Sequence, residues 1–206
     1  YLFVETTSAK KSDELLTLLR KAMGSLPVRP VTTRISPIET FTDWVRSAGD
    51  RVPSGFSLGE SFQSRGASQE SSTLSGKNVT LSDEDITSLI EAGRRINQLE
   101  LVWKPEGTSL DIPFTVNEML GIRGIQWPEE LHQQVKSDIG EDENKVTEAR
   151  ATLLLVQTHL LDLIRDLMGA LGGEEIPDEH PMAAYLDEFD AKIVDEEATE
   201  EEDELL

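Results

Sequence analysis

The chain has 206 residues, of which 37% are hydrophobic, so it is long enough to form one large domain or two small ones with a buried core. It contains no cysteine, which excludes disulfides, thiolate metal sites and cysteine nucleophiles. Its formal net charge is −21, from 40 acidic and 19 basic side chains, which argues against nucleic-acid binding if the charge is evenly spread.

The first predicted elements are a strand and an amphipathic helix. Residues 1–5 have the composition of a strand already under way, with no preceding turn, so we expect a fragment or a processed chain. Thr7 or Ser8 can cap a helix that runs to about Met23 and ends at Gly24. At about 100° per residue, its leucines fall on one side and its basic residues on the other. The pattern predicts one core-facing side and one basic side.

The signals that follow are weaker. Residues 26–46 are rich in proline, threonine and β-branched types and predict extended structure, which ends in a short amphipathic segment at 41–45. The composition then changes to serine, glycine and glutamine with few apolar residues. This change predicts a flexible loop at about 59–78.

A helix and a hairpin are predicted next. Ser82 and Asp85 have the spacing of a capping box, which predicts a helix at about 83–92. Residues 99–103 alternate between apolar and other types, and a turn leads from them into a second strand at 109–116. The pair is typical of an antiparallel β-hairpin.

The last predicted elements are helical. A short helix is predicted near 128–135 and a long one from about 146 to 171, where leucines recur every seven residues along one side. This stripe fits a core surface better than a dimer seam. Together the elements predict an α+β fold of mixed helices and antiparallel strands over residues 1–175.

Charge is distributed unevenly along the chain. Residues 176–206 carry 13 acidic side chains and one basic side chain, whereas residues 1–104 carry 13 of each sign. A segment so charged and so poor in apolar residues cannot hold a fold of its own, so we predict a disordered acidic tail from 176 to 206. The whole-chain charge is therefore a poor guide to the surface of the folded part.

Basic pairs are the candidate binding residues. Two neighbouring pairs lie on or beside the solvent side of the first helix: Lys10, Lys11, Arg20 and Lys21. The alternative for these is an ordinary solvated helix surface. Arg94 and Arg95 lie at a predicted helix-to-strand corner, where one side chain can contact a phosphate and the other a carboxylate such as Glu91.

No catalytic, metal or cofactor site is predicted. Asp83, Glu84 and Asp85 point about 100° apart on a helix and cannot converge on one ion, so capping explains them better. His159 is predicted on a solvated helix surface, and the three histidines are too scattered for a zinc site. The tryptophans are predicted to pack in the core rather than to stack on bases: Trp44, Trp103 and Trp127.

Seven stretches resemble the second half of the RdgC family in order and spacing, over about residues 1–175. They are Ser8-Ala9-Lys10-Lys11, Leu18-Leu19-Arg20-Lys21, Gly24-Ser25-Leu26-Pro27-Val28, Trp44-Val45-Arg46-Ser47, Gly55-Phe56, Ile90-Glu91-Ala92-Gly93 and Leu171-Gly172-Gly173-Glu174. None is a catalytic signature by itself. The resemblance rests on their shared order.

The resemblance implies a nonenzymatic, sequence-nonspecific DNA-binding protein of the cytoplasm, associated with the nucleoid and with no membrane contact. The expected partners are double-stranded DNA, single strands as well, and a second copy of the chain in a ring-shaped homodimer. The protein is expected to restrain the RecA recombinase by occupying its DNA substrate, without a cofactor. The DNA-contact candidates are then Lys10, Lys11, Arg20, Lys21, Lys77, Arg94 and Arg95.

The sequence departs from the family pattern in several places. Lys77-Asn78 stands where relatives carry a lysine pair or a lysine-glutamine step, so one basic contact is expected to be missing. The stretch 64–75 is Ser-rich where relatives are structured and acidic, and the predicted hairpin is shorter. The resemblance implies that the residues after 175 are an addition and that this sequence lacks the N-terminal half of the family fold, so we expect that it does not close a ring by itself.

Two other functions remain open. The family has also carried an exonuclease label, and a nuclease assay with magnesium or manganese separates that activity from binding. An acidic interaction module or DNA mimic would instead engage basic proteins, and it would not shift duplex DNA in a gel at low salt.

The acidic tail is predicted to compete with DNA for the basic side chains. Its 13 acidic residues form a polyanion, tethered at an effective concentration on the order of millimolar. A chain ending at Glu175 should therefore bind duplex more tightly than the full chain. The difference should shrink as the Debye length falls from about 30 Å at 0.01 M salt to about 8 Å at 0.15 M. Fluorescence anisotropy over a salt series measures it, and equal affinities throughout would show that the tail only maintains solubility.

Overall fold

The fold is organised by a long central strand, β3. The computed structural model describes residues 2–6, 8–66, 72–139 and 144–176, so the predicted acidic tail lies almost entirely outside the described residues. The elements in chain order are α1 Ala9–Met23, α2 Pro37–Arg46, β1 Phe56–Arg65, β2 Leu74–Gly76, α3 Glu84–Glu91, β3 Arg95–Trp103, β4 Ile112–Asn117, β5 Ile122–Arg123, α4 Glu129–Ile139 and α5 Lys145–Ala170. None of the helices in the described ranges combines the length and apolarity needed to cross a bilayer.

The five strands form one antiparallel sheet in the order β2-β1-β3-β4-β5. Leu101 in the middle of β3 lies opposite Leu58 of β1 and Phe114 of β4. Because successive side chains of a strand point to opposite faces, such rows line one side of the sheet. The predicted α+β fold with antiparallel strands is confirmed.

One face of the sheet is buried under helices. The buried strand residues are Phe56, Phe62, Ile96, Leu99, Leu101, Trp103, Ile112, Phe114 and Val116, and the helices add Phe41, Trp44 and Val45 from α2, Ile86 and Ile90 from α3, and Leu163, Leu167 and Met168 from α5. Trp103 is 0% exposed and Trp44 is 3% exposed, and Trp127 packs against the same core. The prediction that the tryptophans pack in the core is confirmed.

Thr42 links α2 to the start of β3 inside this core. Its hydroxyl donates to the Ile38 carbonyl at 2.6 Å and accepts from the Ile96 N–H at 2.9 Å. Thr42 is 2% exposed, and a buried amide without a partner would cost about 1–3 kcal/mol. The helix therefore fixes the position of the strand end that carries Arg95.

The loop before α2 is hydrogen-bonded to the C-terminal end of α5. The N–H groups of Arg34 and Ile35 donate to the carbonyls of Gly173 and Leu171, each at 3.1 Å. Gly172 between them has a φ of +79°, and a Cβ there would lie 2.7 Å from Ile35 Cγ1. Only glycine fits this close approach, and α5 ends just before it, near the predicted end at 171.

The predicted flexible loop at 59–78 is wrong in two stretches, because most of β1 and all of β2 lie within it. Between Leu58 and Phe62 the strand contains a bulge, since these residues pair with Leu101 and Leu99. The extra residues interrupt the period-two alternation, and serine and glutamine occupy the outward positions. Residues 67–71 lie outside the described part of the chain.

Two predicted apolar helix faces are only partly buried. None of the residues of α1 is buried, and its Leu18 and Met23 are 62% and 64% exposed. The expectation of a core-facing side of α1 is therefore wrong within the described residues. In α5 the stripe is core only toward its C-terminal end, where Leu167 is 1% exposed, whereas Leu153 and Leu154 are 57% and 66% exposed.

Candidate nucleic-acid interface

The sheet face opposite the helices carries polar side chains. Arg65 lies opposite Arg95, and Gln98 lies between Gln63 on one side and Asn117 on the other. Thr115 lies between Glu100 and Arg123 in the same way. All eight side chains keep part of their surface accessible to solvent. We call these eight residues the open face. Because they alternate with buried residues such as Leu99, Leu101 and Val116 along β3 and β4, the sheet separates an apolar face from a polar one.

Arg65 and Arg95 form one end of the open face. They are direct cross-strand partners, and such pairs have Cβ atoms about 4.5–5.5 Å apart. Arg65 also makes an ion pair with Glu118 at 2.8 Å, with 50% and 24% of the two side chains exposed. Like charges directly opposite each other destabilise a sheet, and Glu118 offsets part of that repulsion. An incoming anion would contact both arginines at once.

A tight turn places Arg123 at the other end of the open face. The turn follows Asn117, whose Oδ1 accepts a hydrogen bond from the Gly121 N–H at 2.8 Å. Leu120 within the turn has a φ of +60°, a conformation that leucine rarely adopts. The side-chain hydrogen bond stabilises this backbone. The chain then returns as β5, where the Arg123 guanidinium contacts Gln98.

The acidic member of the open face is held by donors within the protein. Glu100 accepts hydrogen bonds from the Glu60 N–H at 3.3 Å and from the Ser61 hydroxyl. Its side chain fills the space over Gly59, where a Cβ would lie 2.6 Å from Glu100 Cγ. The bulge of β1 therefore fixes this carboxylate, and its hydrogen bonds reduce its repulsion of other anions.

The neighbouring residues Arg94 and Arg95 have different surroundings. Arg94 donates from Nε to Ser64 Oγ at 3.0 Å, and from Nη2 to the carbonyls of Ser64, at 3.2 Å, and Ser72. Ser64 is 0% exposed, so Arg94 is anchored at the edge of the core. Arg95 donates to the Arg94 carbonyl and belongs to the open face. The partners of Arg94 are serine groups rather than the expected Glu91.

The remaining predicted contact residues lie outside the open face. Lys10, Lys11, Arg20 and Lys21 are all exposed on α1, and Lys77 is exposed just after β2. Lys10 lies 3.9 Å from Glu14 on the same helix, and its side chain is 87% exposed. We call the four α1 residues the α1 cluster. The structure thus gives two separate basic surfaces, and their contacts with DNA stay predictions.

Other arginines are paired with carboxylates on the outer helices. Arg46 and Arg51 both contact Asp43, at 3.8 Å and 2.8 Å, and Arg165 contacts Asp162. Hydrogen bonding to Asp43, together with the charge of that carboxylate, raises the pKa of Arg51 above its ordinary value. These three cations are ion-paired within the protein and provide charge-matched comparisons for the open face.

His159 lies between two tryptophan rings, so the predicted solvated position is wrong. Its ring centroid is 6.3 Å from that of Trp103 and 6.5 Å from that of Trp127. Beside it, the Trp103 Nε1–H donates to Asp166 at 2.9 Å. Within the described ranges, no group of three or more histidine and carboxylate side chains is placed to hold a metal ion.

A cavity of about 510 Å³ lies beside the bulge of β1. It is lined by two acidic side chains, Asp50 and Glu60, together with Asn78, several small residues and part of the core. None of the residues that line it is basic. A phosphate group would therefore be repelled from this cavity.

Comparison with known proteins identifies the family. The sequence model of the family described as "Putative exonuclease, RdgC" matches residues 1–174. The chain belongs to the RdgC family. Relatives named "Recombination-associated protein RdgC" are 32% identical over 179 residues in Pseudomonas paraeruginosa and over 176 residues in Pseudomonas entomophila, and 31% identical over 176 residues in Pseudomonas putida. The resemblance inferred from the sequence is confirmed.

This RdgC chain spans about half the length of the curated relatives that it matches. The alignments cover 85% of this chain and 55% of each relative. The matched part includes α1 and the whole sheet. The open face and the α1 cluster therefore both lie within the region that this chain shares with RdgC proteins.

Sequence reasoning missed Arg65 and Arg123. Arg65 falls in the stretch that was predicted to be a loop, and Arg123 lies in a strand of only two residues. A signal for β1 was present, because Phe56 and Leu58 alternate before Gly59 and Phe62 resumes the alternation once a bulge is allowed. The grouping of Arg95 with the other two arginines depends on strand register, which residue types alone do not reveal.

The surroundings of Arg94 and Arg95 predict different effects on stability. Arg94→Ala should lower the free energy of unfolding by about 1–3 kcal/mol, because it leaves the polar groups of Ser64 without their donors. Arg95→Ala should change the free energy of unfolding by no more than about 0.5 kcal/mol. Urea unfolding followed by tryptophan fluorescence measures both variants. Equal losses would contradict the anchoring role of Arg94.

Proposed function

We propose that this chain binds duplex DNA through its phosphate backbone, without reading sequence, and modulates homologous recombination by limiting the access of the RecA recombinase to DNA. The proposal extends to a homodimer that encloses the duplex and lies on the nucleoid. Membership of the RdgC family supports it, because the relatives are named recombination-associated proteins. The mechanism needs no cofactor, because lysine and arginine side chains neutralise the phosphates directly and release their counterions.

The observation that carries the proposal is the exposure of the α1 cluster. Its four basic side chains lie on a helix that buries none of its residues. Lysine and arginine on such a surface can approach phosphates without first breaking buried contacts. Contacts of this kind position a protein on DNA but carry no sequence information. Affinity then comes from counterion release, and it falls steeply as salt rises.

Exonuclease activity is the second candidate function, and the description of the family favours it. Metal-dependent hydrolysis needs carboxylates that converge on one or two ions. The acidic run Asp83-Glu84-Asp85 lies at the start of α3 instead, where it complements the helix dipole. Digestion of end-labelled duplex with magnesium or manganese decides between the functions: shortened products mean hydrolysis, and intact complexes mean binding.

Removing charge from the α1 cluster should weaken DNA binding. The combined variant Lys10→Ala, Arg20→Ala and Lys21→Ala should lose affinity for every duplex sequence alike. The slope of log K against the logarithm of the salt concentration should become less negative by up to about 0.9 for each phosphate contact that is lost. Fluorescence anisotropy over a salt series gives both values.

The matched control removes the same charge from paired positions. Arg46→Ala, Arg51→Ala and Arg165→Ala change the net charge equally, but at residues that contact Asp43 and Asp162. This control should keep the salt dependence of the parent chain. If both folded variants behave alike, α1 does not contact DNA and only the overall charge matters.

A further inference from the structure

The open face of the sheet has the chemistry of a second phosphate-binding surface. It contains three arginines and three amide side chains, Gln63, Gln98 and Asn117, whose N–H groups are all donors to phosphate oxygen. Arginine contacts phosphate through two N–H groups at once, which makes it the strongest side chain for this purpose. Of the nearby carboxylates, Glu100 is held by the bulge and Glu118 by Arg65.

The arginines are arranged in two groups. Along β3, Glu100 lies roughly 15 Å from Arg95, at about 3.3 Å per residue, and Arg123 lies two strand spacings of about 4.8 Å to the side of Glu100. The Cα of Arg123 is therefore roughly 15–20 Å from the Cα atoms of the Arg65–Arg95 pair. The Arg123 guanidinium contacts Gln98 and has to leave that contact to reach the far backbone. The major groove of B-DNA is about 12 Å wide between its two backbones. The two groups can therefore reach the two strands that border one groove.

The absence of aromatic rings from the open face points to duplex rather than single strands. Sheets that bind single strands present aromatic side chains on which bases stack. Here the aromatic residues of the described strands lie on the helix-covered face: Phe56, Phe62, Trp103 and Phe114. The open face can contact phosphates but has no ring to offer an unpaired base. A protein partner is also disfavoured, because docking surfaces have an apolar centre.

We infer that the open face is a binding surface for duplex nucleic acid. Arg65 and Arg95 contact one backbone, and Arg123 contacts the other backbone across a groove. The inference rests on the proposed function and adds a surface that is distinct from the α1 cluster. Glu118 competes with phosphate for Arg65. The turn at Asn117 sets the reach of Arg123, since it determines where β5 begins.

The test compares duplex with single strands in a charge-matched pair of variants. Arg65→Gln, Arg95→Gln and Arg123→Gln remove the arginines but keep amide donors, and Arg46→Gln, Arg51→Gln and Arg165→Gln serve as the control. Labelled duplex of about 20 base pairs, and one strand of it, are titrated over a salt series. The open-face variant should bind duplex at least about tenfold more weakly at low salt. The slope of its log K against log salt concentration should become less negative by up to about 2.7. Its single-strand affinity should match that of the control.

A second variant gives a gain of binding, which misfolding cannot produce. Glu118→Gln frees Arg65 and should tighten duplex binding by roughly two- to fivefold, the scale of an exposed ion pair. Asp162→Asn removes the same charge beside Arg165 on α5 and controls for net charge. Equal effects of the two substitutions would overturn the role of Arg65.

The outcomes separate this inference from the proposed function. If the parent chain binds no duplex at any salt concentration, the proposed function fails. If the parent binds, and the open-face variant binds as tightly as its control, the open face is overturned while the proposed function stands. If the open-face variant loses duplex and single-strand binding equally, the placement across a groove is overturned.

Discussion

The burial of only one face of the antiparallel sheet is the constraint on which the rest of the structure depends. Helices α2, α3 and α5 cover the side that holds Leu101 and Trp103, both 0% exposed. Because strand side chains alternate, every residue between two buried neighbours is directed to the other side. The strand pairing that excludes water from the core therefore also places Arg95 beside Arg65. It places Arg123, on β5, in the same sheet.

Much of this fold could be predicted from the sequence, because local signals agreed with the tertiary structure. The Ser8 cap and leucine periodicity predicted α1 and α5, and alternation predicted β3 and β4. Helix α3 forms where the capping box predicts a helix, but its N-cap is Asp83 and no side-chain capping hydrogen bond is made. β1 was missed because its bulge lies where the alternation should continue, and its buried Ser64 has no apolar character. Arg65 and Arg123 are therefore visible only when strand register is known, which depends on contacts between distant parts of the chain.

Periodicity and charge also have limits as guides to surfaces. The leucines of α1 predict an amphipathic helix, but the pattern does not say what covers them, and Leu18 remains 62% exposed. His159 was assigned to the polar side of α5, yet it packs against Trp103 because the helix turns that side toward the sheet. The net charge of −21 argues against DNA, whereas seven of the basic residues of the matched region are grouped in the open face and the α1 cluster.

Site-specific crosslinking tests most directly whether the open face is the surface that meets duplex DNA. The chain has no cysteine, so Thr115→Cys places a single photoreactive label at the centre of the open face, and Ser88→Cys places the same label on the exposed side of α3. The account predicts that irradiation joins the duplex to the protein labelled at position 115 but not to the one labelled at position 88. Equal crosslinking from both positions, or crosslinking from position 88 alone, would contradict it.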